Sequence, residues 1–272
     1  MRNYLTIDVE DYYQVSAFDD LIKRDDWVNY ESRVVKNTKI ILALLARYDT
    51  KATFFVLGWI AEKHPELVQM ISSSGHEVAC HSYLHRLVYN LNPDEFYEDT
   101  QKAKDILEQI TGEAVKGYRA PSYSIDKNSL WAFEILQELG FVYDSSIFPI
   151  SHDRYGNIDS PRFMYKMEGT DLIEFPISTA LVGGVKIPVS GGGYFRFFPY
   201  SITEKLLGRI NSKENKSFVF YLHPWEFDPG QPTIHGAKRL SGFRHYLNLH
   251  KTESRFENLL RAFRFTSFNN SI

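Results

Sequence analysis

Apolar residues follow two different spacings along the chain, and their alternation predicts strands separated by helices. Residues 3–9, NYLTIDV, form a short apolar and β-branched run that is typical of a buried strand. Similar runs occur at KATFFVLG, HEVACH, AVKGYRAP, FVYDSS and SFVFYL. Between the first two runs, RVVKNTKIILALLARY repeats apolar residues at helical spacing. Short strands alternating with helices favour a parallel α/β sheet or barrel.

Helix boundaries are marked by capping residues at several places. Asn92 is a predicted N-cap followed by Pro93, and acidic residues then place negative charge at the positive end of the helix DTQKAKDILEQITG. SLWAFEILQELG predicts a helix closed by Gly140. Ser201 and Glu204 have the spacing of a capping box, which predicts that a helix opens at Ser201. ESRFENLLRAFRF predicts a last helix.

Residues 150–200 interrupt this rhythm. SHDRYGNIDSPRFMYKMEGT is polar and rich in turn residues, and SGGGYFRFFP is glycine-rich and aromatic. We expect loops and short strands here, placed on one face of the barrel. Because neither a linker composition nor an internal repeat occurs, residues 1–272 are predicted to form a single domain. Residues from about 190 to 272 are expected to complete the barrel and the substrate face.

Composition narrows the function classes. The 272 residues are 43% hydrophobic, which suffices for one large domain with a substantial core. A net charge of −3 without a basic block disfavours a nucleic-acid partner. The single cysteine excludes an internal disulfide. The strand-like start MRNYLTIDVED does not resemble a signal peptide, and no apolar stretch approaches a membrane span. These features predict a cytoplasmic protein without a membrane-spanning segment.

Polar side chains recur where the predicted strands end. In a parallel barrel the carboxyl ends of the strands converge on one face, where active sites form. The residues at these ends are Asp8, Glu10, Asp11, His81, His85, Arg119, Asp144 and His223. Acidic, imidazole and guanidinium groups from separate strands are therefore expected to share one site.

The segment GHEVACHSYLHR contains the predicted metal ligands. His81 and His85 are four residues apart, so a helical turn places both imidazoles on one face. Two histidines and one carboxylate form a common catalytic zinc site. Taken alone, such a pair is also compatible with two surface histidines. His76 is interpreted as a strand-start residue, and Cys80 as a small buried core residue.

The segment DVED supplies candidate carboxylates. Asp8 and Glu10 face the same way on an extended strand, and Asp11 turns inward if the strand ends at Glu10. One carboxylate would complete the metal site, and another would act as general base on a water. The alternative is a solvated strand-to-helix turn.

Three further residues fit supporting roles in hydrolysis. Arg119 can pair with the base and hold it ionised. His223 follows five apolar residues and suits a general acid that protonates a leaving group, although it could also bond a neighbouring carbonyl. Asp144 is a candidate to orient the His223 imidazole.

Four motifs carry a family resemblance. TIDVED, HSYLH, YRAPSYS and YLHPWEF, in this order, resemble the polysaccharide deacetylase family of carbohydrate esterases, which share the NodB homology domain. SGGGYFRFFP, HYLNLHKTESRFENLL and FRFTS resemble the subgroup encoded with bacterial exopolysaccharide and exosortase loci. The resemblance implies a distorted (β/α) barrel of about seven parallel strands. It also implies metal-dependent removal of an acetyl group from N-acetylated sugars.

The resemblance assigns a role to each matching residue. Asp8 would be the catalytic base, His81 and His85 would bind the metal, Arg119 would hold the base, and His223 would be the catalytic acid. The metal is expected to be Zn²⁺, with Co²⁺, Mn²⁺ and Ni²⁺ as alternatives.

The chain departs from the family pattern at one position. Most members have a second adjacent aspartate that binds the metal, followed by Gly, and this chain has Val9 in that place. The third ligand must then be Glu10 or Asp11, and the alternation of strand faces favours Glu10. The resemblance also implies an oxyanion donor among the backbone N–H groups of residues 122–123.

The expected partner is an N-acetylated saccharide, either in a polysaccharide or in its lipid-linked or oligosaccharide precursor. Tyr123, Tyr194 and Arg196 are candidate substrate contacts. For the aromatics after the three glycines, a place in the core is an equally good prediction.

Two other functions are compatible with this barrel. A cyclic-amide hydrolase acting on ureides or imides fits the altered first motif, but His223 favours a sugar deacetylase. A non-catalytic glycan-binding barrel predicts the loss of at least one of Asp8, His81, His85 and His223, and all four are retained.

Overall fold

A mostly parallel sheet of nine strands forms the framework of the protein. The computed structural model describes residues 1–150 and 156–271. The strands are β1 (Asn3–Val9), β2 (Thr53–Val56), β3 (Glu77–Cys80), β4 (Gly117–Tyr118), β5 (Tyr143–Asp144), β6 (Tyr165–Lys166), β7 (Ile173–Glu174), β8 (Thr179–Val182), β9 (Val185–Pro188), β10 (Val219–Leu222) and β11 (Phe265–Thr266). All of them except β8 and β9, which form a separate antiparallel hairpin, belong to the main sheet.

The main sheet curls into an open half-barrel. Its strand order is β10-β1-β2-β3-β4-β5-β7-β6, and β11 pairs with β1 outside this path. Only β6 runs antiparallel to its neighbour. This architecture confirms the predicted α/β barrel class, with eight parallel strands where about seven were expected. The carboxyl ends of the parallel strands consequently meet at one rim.

Nine helices pack around the sheet within the part of the chain that the structure describes. They are α1 (Val34–Arg47), α2 (Gly58–Lys63), α3 (Pro65–Ser73), α4 (Pro93–Thr111), α5 (Trp131–Glu138), α6 (Gly192–Phe197), α7 (Tyr200–Lys213), α8 (Arg239–Tyr246) and α9 (Thr252–Ala262). The predicted cap of α4 is present, because the side chain of Asn92 accepts a bond from the Glu95 N–H at 2.9 Å. The Glu95 carboxylate in turn accepts the Asn92 N–H at 3.0 Å. None of these helices is long and apolar enough to cross a bilayer.

Two predicted boundaries are wrong. Helix α7 begins at Tyr200 with Pro199 as its N-cap, so Ser201 lies inside the first turn and makes no capping bond. The carbonyl of Pro199 already accepts the N–H groups of Ile202 and Thr203, which starts the helix earlier. The last helix ends at Ala262, and Phe265, the end of the FRF segment predicted to continue it, begins β11 instead. Pairing with the neighbouring β1 outweighs local helix propensity there.

The segment predicted as irregular contains short ordered elements. Strand β7 extends the main sheet beside β5, and the β8–β9 hairpin packs near α7. Residues 151–155 of this segment, and residue 272, lie outside the described residues. The insertion therefore contributes both a sheet strand and the α6 segment that borders the rim.

The glycine run before α6 allows the chain to pass against β10. Gly191 has φ +128° and forms a parallel bridge with Tyr221. A Cβ at Gly191 would overlap the carbonyl oxygen of Tyr221, so no larger residue fits without moving the backbone. This close approach brings α6 to the rim of the sheet.

Replacing Gly191 with alanine is expected to destabilise the fold by about 3 kcal/mol or more, because it combines an unfavourable φ with a backbone overlap. Gly193 provides the matched control, since a Cβ there has open space. Urea unfolding of Gly191→Ala and Gly193→Ala measures both changes. Equal free energies of unfolding for the two variants would contradict this account of the bridge.

Candidate active site

Five acidic and imidazole side chains meet at the carboxyl rim of the sheet. Asp8 belongs to β1, Glu10 follows it, His81 and His85 follow β3, and His223 follows β10. All five line a cavity of about 490 Å³. Asp8, Glu10, His81 and His85 are buried, and the side chain of His223 is 16% exposed. The parallel strands thus bring together residues that are up to 215 positions apart.

Glu10, His81 and His85 form a set suited to a divalent cation. Their ligand atoms all lie within 4.8 Å of one another. Oε2 of Glu10 is buried without a hydrogen-bond partner, although Nε2 of His85 is 2.9 Å away. A spacing of about 3 Å between ligand atoms is what two bonds of about 2.1 Å to one cation produce. The residues present therefore fit a metal.

The protonation states of these residues also suit ligation. Burial opposes ionisation of Glu10, but the imidazoles of His85 and His223 hold its pKa at about 2. Burial lowers the pKa of His81 to about 4, so the imidazole is neutral near pH 7. Nδ1 of His81 lies 2.8 Å from the carbonyl oxygen of Arg119, which directs the opposite nitrogen, Nε2, toward the cavity.

Asp11, the alternative to Glu10 as the third metal ligand, has a structural role instead. Its Oδ2 accepts bonds from the Ser32 hydroxyl at 2.8 Å and from the N–H groups of Arg33 and Val34 at 2.8 and 3.1 Å. These N–H groups belong to the start of α1. The carboxylate therefore caps that helix and complements its dipole.

Asp8 is held by a buried guanidinium. Nη1 of Arg119 donates to Oδ1 of Asp8 at 2.6 Å and to the hydroxyl of Thr6 at 2.8 Å. The other nitrogens of Arg119 donate to the carbonyl and hydroxyl oxygens of Ser145, and the guanidinium lies 4.2 Å from the ring centre of Phe55. A fully engaged arginine fixes the position of the Asp8 carboxylate.

His223 is oriented by Glu226, a residue that the sequence analysis did not single out. Nδ1 of His223 and Oε1 of Glu226 are 2.8 Å apart, and the same oxygen accepts the His223 N–H at 3.0 Å. Burial opposes the charged form of His223, but Glu226 and the nearby carboxylates of Glu10 and Asp8 raise its pKa to about 9. Nε2 of His223 faces the cavity, 3.3 Å from Oε1 of Glu10.

The suggested orienting role of Asp144 is wrong. Its carboxylate accepts bonds from the N–H and the hydroxyl of Ser146, at 2.8 and 2.7 Å. It also forms a buried carboxyl pair with Glu174, and burial raises the pKa of Glu174 well above its usual range. Asp144 lies on β5, and this pairing holds the β5–β7 end of the sheet together.

Arg196 lines the cavity and also stabilises Glu226, and its expected contact with substrate stays a prediction. Its Nε donates to Oε2 of Glu226 at 2.7 Å, and its Nη1 donates to the carbonyls of His245 and Leu247. The residue is only 2% exposed. Arg196 thereby links the segment after α8 to the carboxylate that orients His223.

Trp225 is a further residue at the site that sequence reasoning missed. Its ring stacks between His223, at 5.2 Å, and His245, at 4.2 Å. Its Nε1 donates to Oε1 of Glu10 at 3.3 Å. The motif HPWEF contains both Trp225 and Glu226, and the spacing of three residues between His223 and an acid was the signal available in the sequence.

The loop after Arg119 has unusual backbone geometry. Ser122 and Tyr123 have φ values of +50° and +56°, and Ser82 and His85 across the cavity also have positive φ. Non-glycine residues in this region cost about 1–3 kcal/mol each and cluster at functional sites. The Tyr123 N–H donates to the carbonyl oxygen of Ala120 at 3.1 Å. Of the two backbone N–H groups predicted as oxyanion donors, the N–H of Ser122 is therefore the remaining candidate.

The aromatics after the glycine run divide between core and cavity. Phe195 is fully buried, while Tyr194 lines the cavity. Tyr123 also lines the cavity, with its ring packed against Tyr221 at 5.3 Å. Phe195 is therefore a core residue, whereas the substrate contacts expected of Tyr194 and Tyr123 stay predictions.

Comparison with known families agrees with the geometry. Residues 13–143 match the family model described as polysaccharide deacetylase. This match covers 131 of the 272 residues, slightly less than half of the chain. Residues 145–272 match a second model, DUF3473, described as a domain of unknown function. The deacetylase match contains His81, His85 and Arg119, whereas His223 and Glu226 lie in the second match.

Individual relatives resemble parts of the chain or its fold. The peptidoglycan-N-acetylglucosamine deacetylase of Bacillus cereus is 40% identical over 98 residues, which are 36% of this chain and 36% of that protein. The chain thus matches about a third of that relative's length. A family 4 carbohydrate esterase from Streptomyces lividans, solved with acetate, has a TM-score of 0.50 at 13% identity and covers 98% of this chain and 91% of its own.

A third relative separates fold from activity. A family 4 protein from Bacillus anthracis, described as a pseudoenzyme, has a TM-score of 0.51 at 16% identity. The superposition covers 99% of this chain and 64% of that protein. Because this fold occurs with and without activity, the function of the chain has to be argued from the residues of its own site.

Proposed function

We propose that this protein is a metal-dependent deacetylase that hydrolyses the acetamide of N-acetylated sugars. One observation carries the proposal: a carboxylate held by arginine, a three-residue metal site and a histidine held by glutamate line a single cavity. The matched family and the Bacillus cereus relative support this class of reaction.

Each residue of the site has a separate role in the proposed hydrolysis of the amide. A cation bound by Glu10, His81 and His85 would supply Lewis-acid polarisation of the amide carbonyl and of the attacking water. Asp8, whose carboxylate is held in place by Arg119, takes a proton from the water. The Ser122 N–H is placed to donate to the oxyanion that develops on the carbonyl oxygen.

His223 provides the proton that the amine needs in order to leave. Amide hydrolysis requires protonation of the nitrogen as the C–N bond breaks, and the protonated imidazole is the acid for this step. Glu226 holds that imidazole from the side opposite the cavity, so Nε2 carries the transferable proton. Asp8 therefore acts on the attacking water, and His223 acts on the leaving amine.

The two alternative functions receive less support from the site. The retention of Asp8, His81, His85 and His223 in one cavity argues against a non-catalytic glycan-binding barrel. The His223–Glu226 pair provides a protonated acid for an amine leaving group, which favours a linear acetamide over a cyclic amide.

Acetate release from N-acetylhexosamine oligosaccharides tests the proposal directly. We expect acetate from at least one member of a panel of such oligosaccharides, loss of release after chelation, and recovery on adding Zn²⁺. Mass spectrometry of the products measures the loss of acetyl groups. Failure to release acetate from any member by protein whose metal content is verified would overturn the deacetylase proposal, as would release that survives complete removal of the metal.

Several finer predictions belong to this proposal. Zinc as the bound metal, a cytoplasmic location and an exopolysaccharide context remain predictions from the sequence. The organisation as a single domain is supported by the main sheet, because β1 pairs with β10 and β5 pairs with β7, so that strands from the two halves of the chain share one sheet.

A further inference from the structure

The mouth of the cavity carries exposed apolar side chains. Leu240 and Phe243 on α8 are each 58% exposed, and Phe197 at the end of α6 is 60% exposed. All three line the same cavity as the proposed catalytic residues. On α8, Leu240 and Phe243 are three residues apart and so lie on one face of the helix. We call Phe197, Leu240 and Phe243 the apolar rim.

The chain around α8 is basic and lacks acidic residues. Between Asp228 and Glu253 there are four lysines and arginines, at positions 238, 239, 244 and 251, and no Asp or Glu. The whole chain has a net charge of −3. This segment has a net charge of +4, so the rest of the chain has a net charge of −7. Positive charge is therefore concentrated beside the apolar rim.

The positively charged side chains of α8 and of the residue before it differ in whether they form salt bridges. Lys238 forms a salt bridge with Asp20 at 3.0 Å, which ties the start of α8 to the neighbouring loop. Arg239 and Arg244 form no salt bridge with any residue in the described ranges 1–150 and 156–271. Both are exposed, and Arg244 lines the cavity mouth together with the apolar rim. Their charges are thus available to an anionic partner.

We propose that the apolar rim and the two arginines dock this protein on the surface of an anionic membrane. Exposed Leu and Phe beside unpaired Arg match an interface whose headgroups are negative and whose acyl region is apolar. A neutral glycan would use the aromatic faces but would leave the arginines without partners. Charge complementarity therefore favours a bilayer over a neutral polysaccharide.

Docking in this way places the cavity against the bilayer surface. If the proposed deacetylation holds, the substrate is then an N-acetylated sugar carried on an anionic lipid, which reaches the site from the membrane. This consequence rests on the proposed function, whereas the docking itself does not. Binding to vesicles is accordingly measured without turnover.

Vesicle sedimentation tests the docking with the full chain and two lipid compositions. We expect the protein to sediment with phosphatidylglycerol-containing vesicles and to remain in solution with pure phosphatidylcholine. Replacing Arg239 and Arg244 with glutamine is expected to weaken partitioning by about thirtyfold. Leu240→Ser combined with Phe243→Ser should weaken it by at least about tenfold, and added salt should weaken binding of the unaltered protein.

Matched variants elsewhere on the surface provide the control. Val182→Ser with Val185→Ser removes exposed apolar groups from the β8–β9 hairpin, and Lys205→Gln with Arg209→Gln removes two cations from α7. These residues do not line the cavity, and their variants should sediment like the unaltered protein. Thermal unfolding establishes that every variant is folded.

Three results would overturn the docking. One is the absence of sedimentation with anionic vesicles. Another is equal weakening by the hairpin, α7 and α8 variants, which would indicate attraction without a defined face. A third is unchanged vesicle binding of the α8 variants together with weaker binding of soluble chito-oligosaccharides, which would assign the rim to glycan. None of the three would contradict the deacetylase proposal.

Discussion

Replacing Glu10 with glutamine should remove the metal and lower deacetylation by about a thousandfold, because the carboxylate is the only anionic member of the Glu10–His81–His85 set. Asp11→Asn is the matched comparison, since Asp11 is the neighbouring buried acid and was the open alternative. Its carboxylate caps α1, so the variant should retain metal and activity. It should lose about 1 kcal/mol of folding free energy.

Metal content per chain, acetate release and thermal unfolding distinguish the two variants. The prediction requires opposite profiles: Glu10→Gln folded and depleted of metal, Asp11→Asn loaded with metal and less stable. Loss of metal from Asp11→Asn with retention by Glu10→Gln would assign the third ligand to Asp11. That result would contradict the geometry of the site and leave the α1 cap unexplained.

Replacing His223 with alanine should lower the hydrolysis of N-acetyl sugars by about a thousandfold, while hydrolysis of 4-nitrophenyl acetate falls by less than about tenfold. An amine leaves poorly unless it is protonated, whereas nitrophenolate leaves without a proton. The difference between the two substrates therefore isolates the acid step. Steady-state kinetics of both reactions with metal-loaded protein provide the measurement. Equal losses on the two substrates would show that His223 does not act as the acid.

Glu226→Gln is the companion variant that keeps the imidazole in place. Burial alone would lower the pKa of His223, and the carboxylates of Glu226, Glu10 and Asp8 together raise it to about 9. Activity that depends on protonated His223 is lost as the pH rises through this pKa. Without the charge of Glu226 the loss should begin at lower pH, so the basic limb of the rate profile moves toward neutrality. An unmoved limb would assign Glu226 a purely structural role.

The strand pattern was sufficient to predict where the chemistry lies, because the topology of a parallel sheet collects the strand ends. Asp8, His81, His85 and His223 could be located from this rule, and the alternation of strand faces favoured Glu10. The supporting contacts could not be predicted. Arg196 reaches Glu226 across 30 positions, and its burial depends on the packing of elements that are distant in the sequence.

Acidic residues were the hardest class to interpret from sequence. Asp11, Asp144 and Glu226 all follow or lie near strand ends, yet one caps a helix, one pairs with Glu174 and one orients His223. Their roles depend on which N–H, carboxyl or imidazole lies opposite in space. The end of the last helix was predicted wrongly for a related reason, because the chain after it pairs with β1 and forms β11.

The junction between the two matched family segments runs through the proposed site. Residues 13–143 contain His81, His85 and Arg119, residues 145–272 contain His223, Glu226 and Arg196, and Asp8 and Glu10 precede both segments. The proposed acid and the residues that hold it therefore come from the segment whose model is described as a domain of unknown function. Under the proposed function, substitutions in that segment would change which leaving groups are accepted, because the residues proposed to bind the cation all lie outside it.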